Sequence, residues 1–161
     1  MKALNNLSLA AFLFFPAGFL AAVASFVFQV FFSNASLANS VNNLFFFVFL
    51  EEILKLFFWK ITWAITLSPD GKKQWKMFFL SLFFALGFWF LELVFLKLKS
   101  SVWPISLSSL ILLLVHWLTS WLVAGSNQKL LQKKYLAFFL IFSLSLIFHF
   151  FYNQLAEKGL F

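Results

Sequence analysis

The sequence predicts an all-α integral membrane protein, a single bundle of about five transmembrane helices. Of the 161 residues, 63% are hydrophobic and only 11% are charged, whereas a soluble domain carries about 25% charged residues. The mean hydropathy is +0.96. A soluble fold of this size could not bury so much apolar surface, but lipid can solvate the outer faces of a bundle. No linker or internal repeat divides the chain, so we expect residues 1–161 to form one domain.

Five apolar segments are each long enough for a helix that crosses a hydrocarbon core of ~30 Å. They cover residues 9–32, 41–67, 75–98, 102–124 and 135–155. The first is longer than the apolar region of a signal peptide, and residues 33–40 match a processing site poorly, so we interpret it as a transmembrane helix. The connections are polar, with a turn signal at 68–73 and a predicted last loop at 125–134.

Lysine placement predicts the orientation in a cell membrane. All 12 basic residues are lysines and the net charge is +7. They mostly flank apolar segments, which favours a role in membrane topology over nucleic-acid binding. Lys2 and the lysines at 72–76 and 129–134 lie on one side, so the positive-inside rule places the N-terminus in the cytoplasm and the C-terminus outside. Lys97 and Lys99 oppose this assignment.

The composition indicates the kind of organism and excludes the chemistry of cysteine. The bias towards Phe, Lys, Asn and Leu is typical of an AT-rich genome and favours a bacterium. The chain has no Cys, which excludes disulfides and thiolate chemistry.

Three of the five acidic residues and both histidines fall inside predicted transmembrane helices. They are Glu51, Glu52, Glu92, His116 and His149. A charged side chain in a bilayer costs at least ~2.5–3.5 kcal/mol, so such a residue is by default a hypothesis for a functional site. Counted along the helices, all of them lie in the outer half or near the midplane. We therefore expect four helices to contribute polar groups to one shared cavity.

Some of these residues have a polar side chain four residues away on the same helix face, although each such pair alone also has a purely structural interpretation. Glu51 and Lys55 are four residues apart on one helix face, and this pairing would keep a buried carboxylate ionised. His149 and Asn153 have the same spacing. The first pair could simply be an ion pair that joins helices, and a lone membrane histidine such as His116 is often a hydrogen-bonding residue between helices. Their coincidence at one depth favours function.

Four short patterns, in order, resemble the PrsW family of membrane proteases. Residues 51–55 fit E-E-x-x-K, residues 88–92 fit F-x-x-x-E, residues 116–125 resemble the third motif, and residues 149–153 fit H-x-x-x-N. PrsW proteins belong with the CAAX prenyl proteases and the ABI proteins in a superfamily of glutamate intramembrane proteases. Lys55 and Glu92 favour the PrsW branch. Leu93 departs from the Asn expected there, which affects the expected substrate.

The resemblance implies hydrolysis of a peptide bond in a membrane-anchored protein, as in cleavage of an anti-sigma factor. Chemically, Glu51 is the expected general base for water, and Glu52 is a second carboxylate that positions the water. Lys55 would adjust the protonation of these two carboxylates. His149 and Asn153 could donate hydrogen bonds to the tetrahedral oxyanion, while His116 and Glu92 could orient the water, the substrate or each other.

Three alternatives remain open from the sequence. Two histidines and three glutamates could bind zinc, although no H-E-x-x-H spacing is present and the family is regarded as metal-independent, so no cofactor is expected. Rows of Glu and His could relay protons or cations in a transporter, although no inverted repeat is visible. The chain could also be an interaction protein, such as an ABI-type bacteriocin-immunity factor.

Overall fold

The computed structural model describes residues 7–33, 41–66, 74–100 and 106–158, which form five α-helices. The helices are α1 (Leu7–Ser33), α2 (Val41–Thr66), α3 (Gln74–Ser100), α4 (Leu107–Leu131) and α5 (Tyr135–Glu157). Four of them lie within two residues of the predicted ranges, and α4 does not. Lys2, the loop residues 34–40, the turn signal at 68–73 and the predicted start of the fourth helix at 102–105 lie outside the described residues.

The predicted fold class, an all-α membrane bundle, is confirmed. By length and composition, four helices can cross a membrane. These spans are Ser8–Phe32, Trp75–Leu98, Leu107–Leu131 and Tyr135–Glu157. Helix α2 has 26 residues and differs in the position of its charged side chains, because Glu51, Glu52, Lys55 and Lys60 lie within its central and C-terminal parts rather than near its ends. Large apolar side chains such as Phe12 (72% exposed) and Leu136 (75% exposed) cover the outside of the bundle, as suits contact with lipid.

The predicted loop at 125–134 is wrong over most of its length, because α4 continues to Leu131. Gly125 does not end the helix, and a Cβ at this position would meet only Ile141 Cγ2, at 3.9 Å. Ser126 and Asn127 are buried rather than solvated, and Ser126 Oγ donates to the carbonyl of Val123. The connection to α5 is therefore only residues 132–134, in which Lys133 adopts a φ of 58°.

Helices α1 and α3 form the most extensive contact of the bundle, and two glycines make it possible. A Cβ on Gly18 would overlap the carbonyl oxygen of Phe84, and a Cβ on Gly87 would overlap the carbonyl oxygen of Phe15. The two backbones therefore touch at this crossing. Small residues commonly permit such close approach in membrane bundles, where packing rather than the hydrophobic effect drives helix association.

Helix α2 packs against α1, α4 and α5, so its charged face points into the bundle. On α2, the Trp59 side chain packs against Phe14 of α1 and Phe84 of α3. Its ring centroid lies 4.6 Å from that of Phe14 and 5.7 Å from that of Phe84. Helix α3 is tied to α4 by Trp89 Nε1, which donates to the carbonyl of Ser109 at 2.7 Å. These contacts bring the polar faces of α2, α3, α4 and α5 together.

Candidate functional site

Glu52 is fully buried and both of its carboxylate oxygens are engaged. Oε1 accepts hydrogen bonds from Lys55 Nζ and from His149 Nδ1, each at 2.7 Å. Oε2 accepts from Ser145 Oγ at 2.6 Å. The carboxylate thus ties α2 to α5. Buried charge is tolerated where hydrogen bonds and an opposite charge compensate it, and Glu52 has both.

Glu51, one residue earlier, is buried but much less engaged. Its Oε1 lies 3.0 Å from Lys55 Nζ, 3.4 Å from His149 Nε2 and 3.8 Å from His116 Nδ1. The contact with Lys55 is an ion pair by distance, but Oε1 has no correctly aligned hydrogen bond among the described residues. A misaligned contact of this kind contributes little as a hydrogen bond, because hydrogen bonds weaken steeply with angle. Glu51 is therefore the carboxylate with lone pairs available for chemistry.

Lys55 is the central cation of the cluster and is completely buried. Besides the two glutamates, its ammonium group contacts His116 Nδ1 and Thr119 Oγ1, both at 3.3 Å. It also lies 4.7 Å from the ring centroid of Phe88, within the range of a cation–π contact. Because an ammonium group can only donate, the atoms around it must be acceptors.

The partners of the two histidines determine their tautomers. His116 Nε2 lies 2.6 Å from Glu92 Oε2, and His149 Nδ1 lies 2.7 Å from Glu52 Oε1. An ionised carboxylate only accepts, so each of these nitrogens carries a proton. In the neutral imidazoles, His116 Nδ1 and His149 Nε2 then present lone pairs, and both are directed at the region of Glu51 Oε1. His149 can donate to an oxyanion through Nε2, the role expected from sequence, only as the doubly protonated imidazolium.

A small cavity reaches Glu51 and Glu92 from the side of α1. The space open to the centres of water molecules is about 50 Å³, where about 10–15 Å³ is enough for one water. It is lined by Ala22, Ser25, Phe26, Gln29, Glu51, Phe88, Leu91, Glu92 and Phe95. Gln29 Nε2 donates to Ser25 Oγ at 3.4 Å, so polar groups accompany the apolar wall. The cavity therefore offers space for water next to Glu51 and Glu92.

Six of the seven residues singled out from the sequence meet in one cluster. They are Glu51, Glu52, Lys55, Glu92, His116 and His149. Asn153 is half-buried and forms no hydrogen bond or ion pair with any of these six. Glu52 engages Lys55, His149 and Ser145, so it orients His149 directly.

Sequence analysis missed three polar residues that belong to this region. Ser145 lies one turn before His149, and the shared four-residue spacing could have identified it. Ser25 and Gln29 have the same spacing on α1, but nothing in the sequence indicates that α1 faces the cluster.

The comparisons with known proteins add no identification to this geometry. No protein-family model, curated protein or solved structure matches the chain.

Proposed function

We propose that this protein is a membrane-embedded peptidase in which Glu51 activates water for attack on a peptide bond of a membrane-anchored protein. One observation carries the proposal: Glu51 lines a cavity large enough for water, and its buried Oε1 lacks a hydrogen bond among the described residues. A positioned carboxylate within reach of water is what general-base hydrolysis requires.

The surrounding groups suit the steps of that reaction. A water beside Glu51 donates one hydrogen bond to its carboxylate, while the lone pair on His149 Nε2, 3.4 Å from Glu51 Oε1, accepts the other. The water oxygen attacks the carbonyl carbon and its proton passes to Glu51. Glu51 then gives this proton to the leaving amine nitrogen as the C–N bond breaks. The Lys55 ammonium supplies positive charge beside the developing oxyanion.

The substrate class follows from the resemblance and from the location of the cluster. The four patterns resemble PrsW proteases, whose expected substrate is a single-pass anti-sigma factor. Supporting this, the cavity opens beside α1 among apolar side chains such as Phe26 and Phe95, which suit a substrate helix arriving through lipid. The membrane supplies both the solvent for the enzyme and the route of the substrate.

The decisive experiment compares Glu51→Gln with Glu157→Gln. The first change keeps the size of the side chain but removes the base, and the second makes the same change at an exposed site near the end of α5. Membrane fractions of cells that express each variant are compared by N-terminal labelling and mass spectrometry. Loss of the base is expected to lower the yield of new N-termini in single-pass proteins by 10²–10⁴-fold. Equal yields from both variants would contradict the proposal.

The orientation has its own test, because the chain has no natural Cys. We propose a cytoplasmic N-terminus and an external C-terminus. Glu157→Cys should react with an impermeant thiol reagent added to intact cells, whereas Lys133→Cys in the α4–α5 turn should react only after lysis. Both native side chains are exposed, so accessibility within the fold is matched. The reverse pattern would put the site nearer the cytoplasmic face.

A further inference from the structure

We propose that Glu51, His116 and His149 form a binding site for Zn²⁺ and that the bound ion inhibits the peptidase by occupying the carboxylate oxygen that activates water. The inhibitory consequence rests on the proposed function, whereas the binding site rests on geometry alone. One oxygen and two nitrogens from three helices, α2, α4 and α5, supply the ligands.

The spacing of the three ligand atoms suits zinc. Tetrahedral ligands about 2.0–2.2 Å from Zn²⁺ are about 3.3–3.6 Å from one another. His149 Nε2 lies 3.4 Å from Glu51 Oε1, and His116 Nδ1 lies 3.8 Å from the same oxygen. All three atoms lie within 4.8 Å of one another. A movement of the two imidazoles towards each other by up to about 1 Å completes three corners of a tetrahedron, and the fourth is left for water.

In each histidine, the ring nitrogen that would not bind the metal donates a hydrogen bond to a carboxylate, as is usual in metal sites. Glu92 accepts from His116 Nε2 at 2.6 Å, and Glu52 accepts from His149 Nδ1 at 2.7 Å. Carboxylates in this position fix the ring orientation and make the opposite nitrogen a better ligand. Glu51 Oε1 meanwhile has no hydrogen bond among the described residues. Three possible ligand atoms therefore lie close together, an arrangement that a cation stabilises.

Charge balance also favours a divalent ion. The cluster contains three carboxylates, Glu51, Glu52 and Glu92, and one ammonium group, Lys55. With neutral imidazoles the net charge is −2, and a charge imbalance is costly in a bundle surrounded by lipid. One Zn²⁺ brings the sum to zero.

Lys55 explains why the ion acts as a reversible inhibitor rather than as a permanent cofactor. Its ammonium group lies 3.0 Å from Glu51 Oε1 and 3.3 Å from His116 Nδ1, so it already serves two of the three ligand atoms. Zinc must displace it from both, while Lys55 keeps its 2.7 Å contact with Glu52. This competition weakens zinc relative to a site without a lysine, and it leaves the zinc-free state available for water activation by Glu51.

The binding test uses Co²⁺ and Zn²⁺ on the full chain in nanodiscs. The visible absorption of tetrahedral Co²⁺ reports binding, and Zn²⁺ displaces it at one ion per chain. Glu92→Gln, which removes the carboxylate behind His116, is expected to weaken binding 10–100-fold, and Glu157→Gln is the matched control. Lys55→Met, which removes the competing ammonium, is expected to tighten binding at least about 10-fold. Absence of the cobalt signal, or equal affinity in Glu92→Gln and Glu157→Gln, overturns the site.

The activity test separates the role of the ion from the proposed function. Cleavage should persist in a strong chelator, fall when Zn²⁺ saturates the site and recover on chelation. If chelation abolishes cleavage and Zn²⁺ restores it, the inhibitory role is overturned and Glu51 acts as a ligand of a catalytic metal. If Zn²⁺ binds but no cleavage occurs under any condition, the peptidase proposal and the inhibition fail together, while the binding site stands.

Discussion

Two helix contacts of this bundle are built in opposite ways. Where α1 crosses α3, Gly18 and Gly87 remove side chains and the backbones touch. Between α2 and α5, by contrast, Glu52 joins the helices through charged and polar side chains, with hydrogen bonds of 2.6 and 2.7 Å to Ser145 and His149. The α1–α3 contact depends on the small volume of its side chains, and the α2–α5 contact depends on the protonation and pairing of buried groups. A substitution that is harmless at one contact should therefore be damaging at the other.

The largest expected effect is at the glycine crossing. In Gly87→Ala the new Cβ meets backbone atoms of α1, which cannot rotate away, so we expect a loss of more than about 4 kcal/mol in the free energy of unfolding. Gly125→Ala is the matched control, because its Cβ would make only an ordinary 3.9 Å contact. This control should be neutral or up to about 1 kcal/mol more stable, since Ala favours helix. Unfolding in mixed detergent–SDS micelles, followed by circular dichroism, measures both, and equal changes would contradict a steric crossing.

The next effect separates the two adjacent carboxylates. Glu52→Gln leaves Lys55 and His149 without their shared partner, so we expect a loss of about 3 kcal/mol. Glu51→Gln replaces a carboxylate oxygen that lacks an aligned hydrogen bond, so it should change stability by less than about 1 kcal/mol in either direction. The same unfolding assay compares them. If Glu51→Gln is the more damaging change, Glu51 is the structural carboxylate and the assignment of the base fails.

A smaller effect is expected at Ser145, which donates to Glu52 Oε2. Ser145→Ala removes this hydrogen bond to a charged acceptor and a longer one, 3.3 Å, to the carbonyl of Thr119, and should cost about 1.5–2 kcal/mol. Ser143→Ala makes the same change two residues earlier on the exposed face of α5 and should stay within about 0.5 kcal/mol. A difference between the two variants below about 0.5 kcal/mol would show that the hydrogen bond of Ser145 contributes nothing to the α2–α5 contact.

How much could be predicted from sequence differs between these two contacts for a physical reason. Ionisable residues are rare in membrane helices because they are costly, so Glu51, Glu92, His116 and His149 were visible as a group before their geometry was known. Small residues carry no such cost. Gly18 and Gly87 look like many other membrane glycines, and only the relative position of α1 and α3 shows what a Cβ would meet.

The end of α4 could not be predicted from the sequence either, because it too depends on neighbouring helices. Gly125, followed by Ser126, Asn127 and several lysines, has the composition of a loop, yet the helix continues to Leu131. Ser126 and Asn127 are buried by neighbouring helices, and this tertiary environment outweighs local preference. Partners of a buried group, such as the three donors around Glu52, likewise depend on how four helices are arranged.

The pairing of Glu52 with α5 also constrains how the chain enters the membrane during synthesis. The N-terminal helices are made first, so α2 emerges while α4 and α5 are still unmade. At that stage only Lys55 is at hand to offset Glu51 and Glu52, and each uncompensated charge opposes insertion by about 2.5–3.5 kcal/mol. We therefore expect α2 to pack stably in the bundle only when His116, Ser145 and His149 have been made. The buried cluster is in this sense also an assembly checkpoint, because a chain that stops before α5 leaves Glu52 without Ser145 and His149.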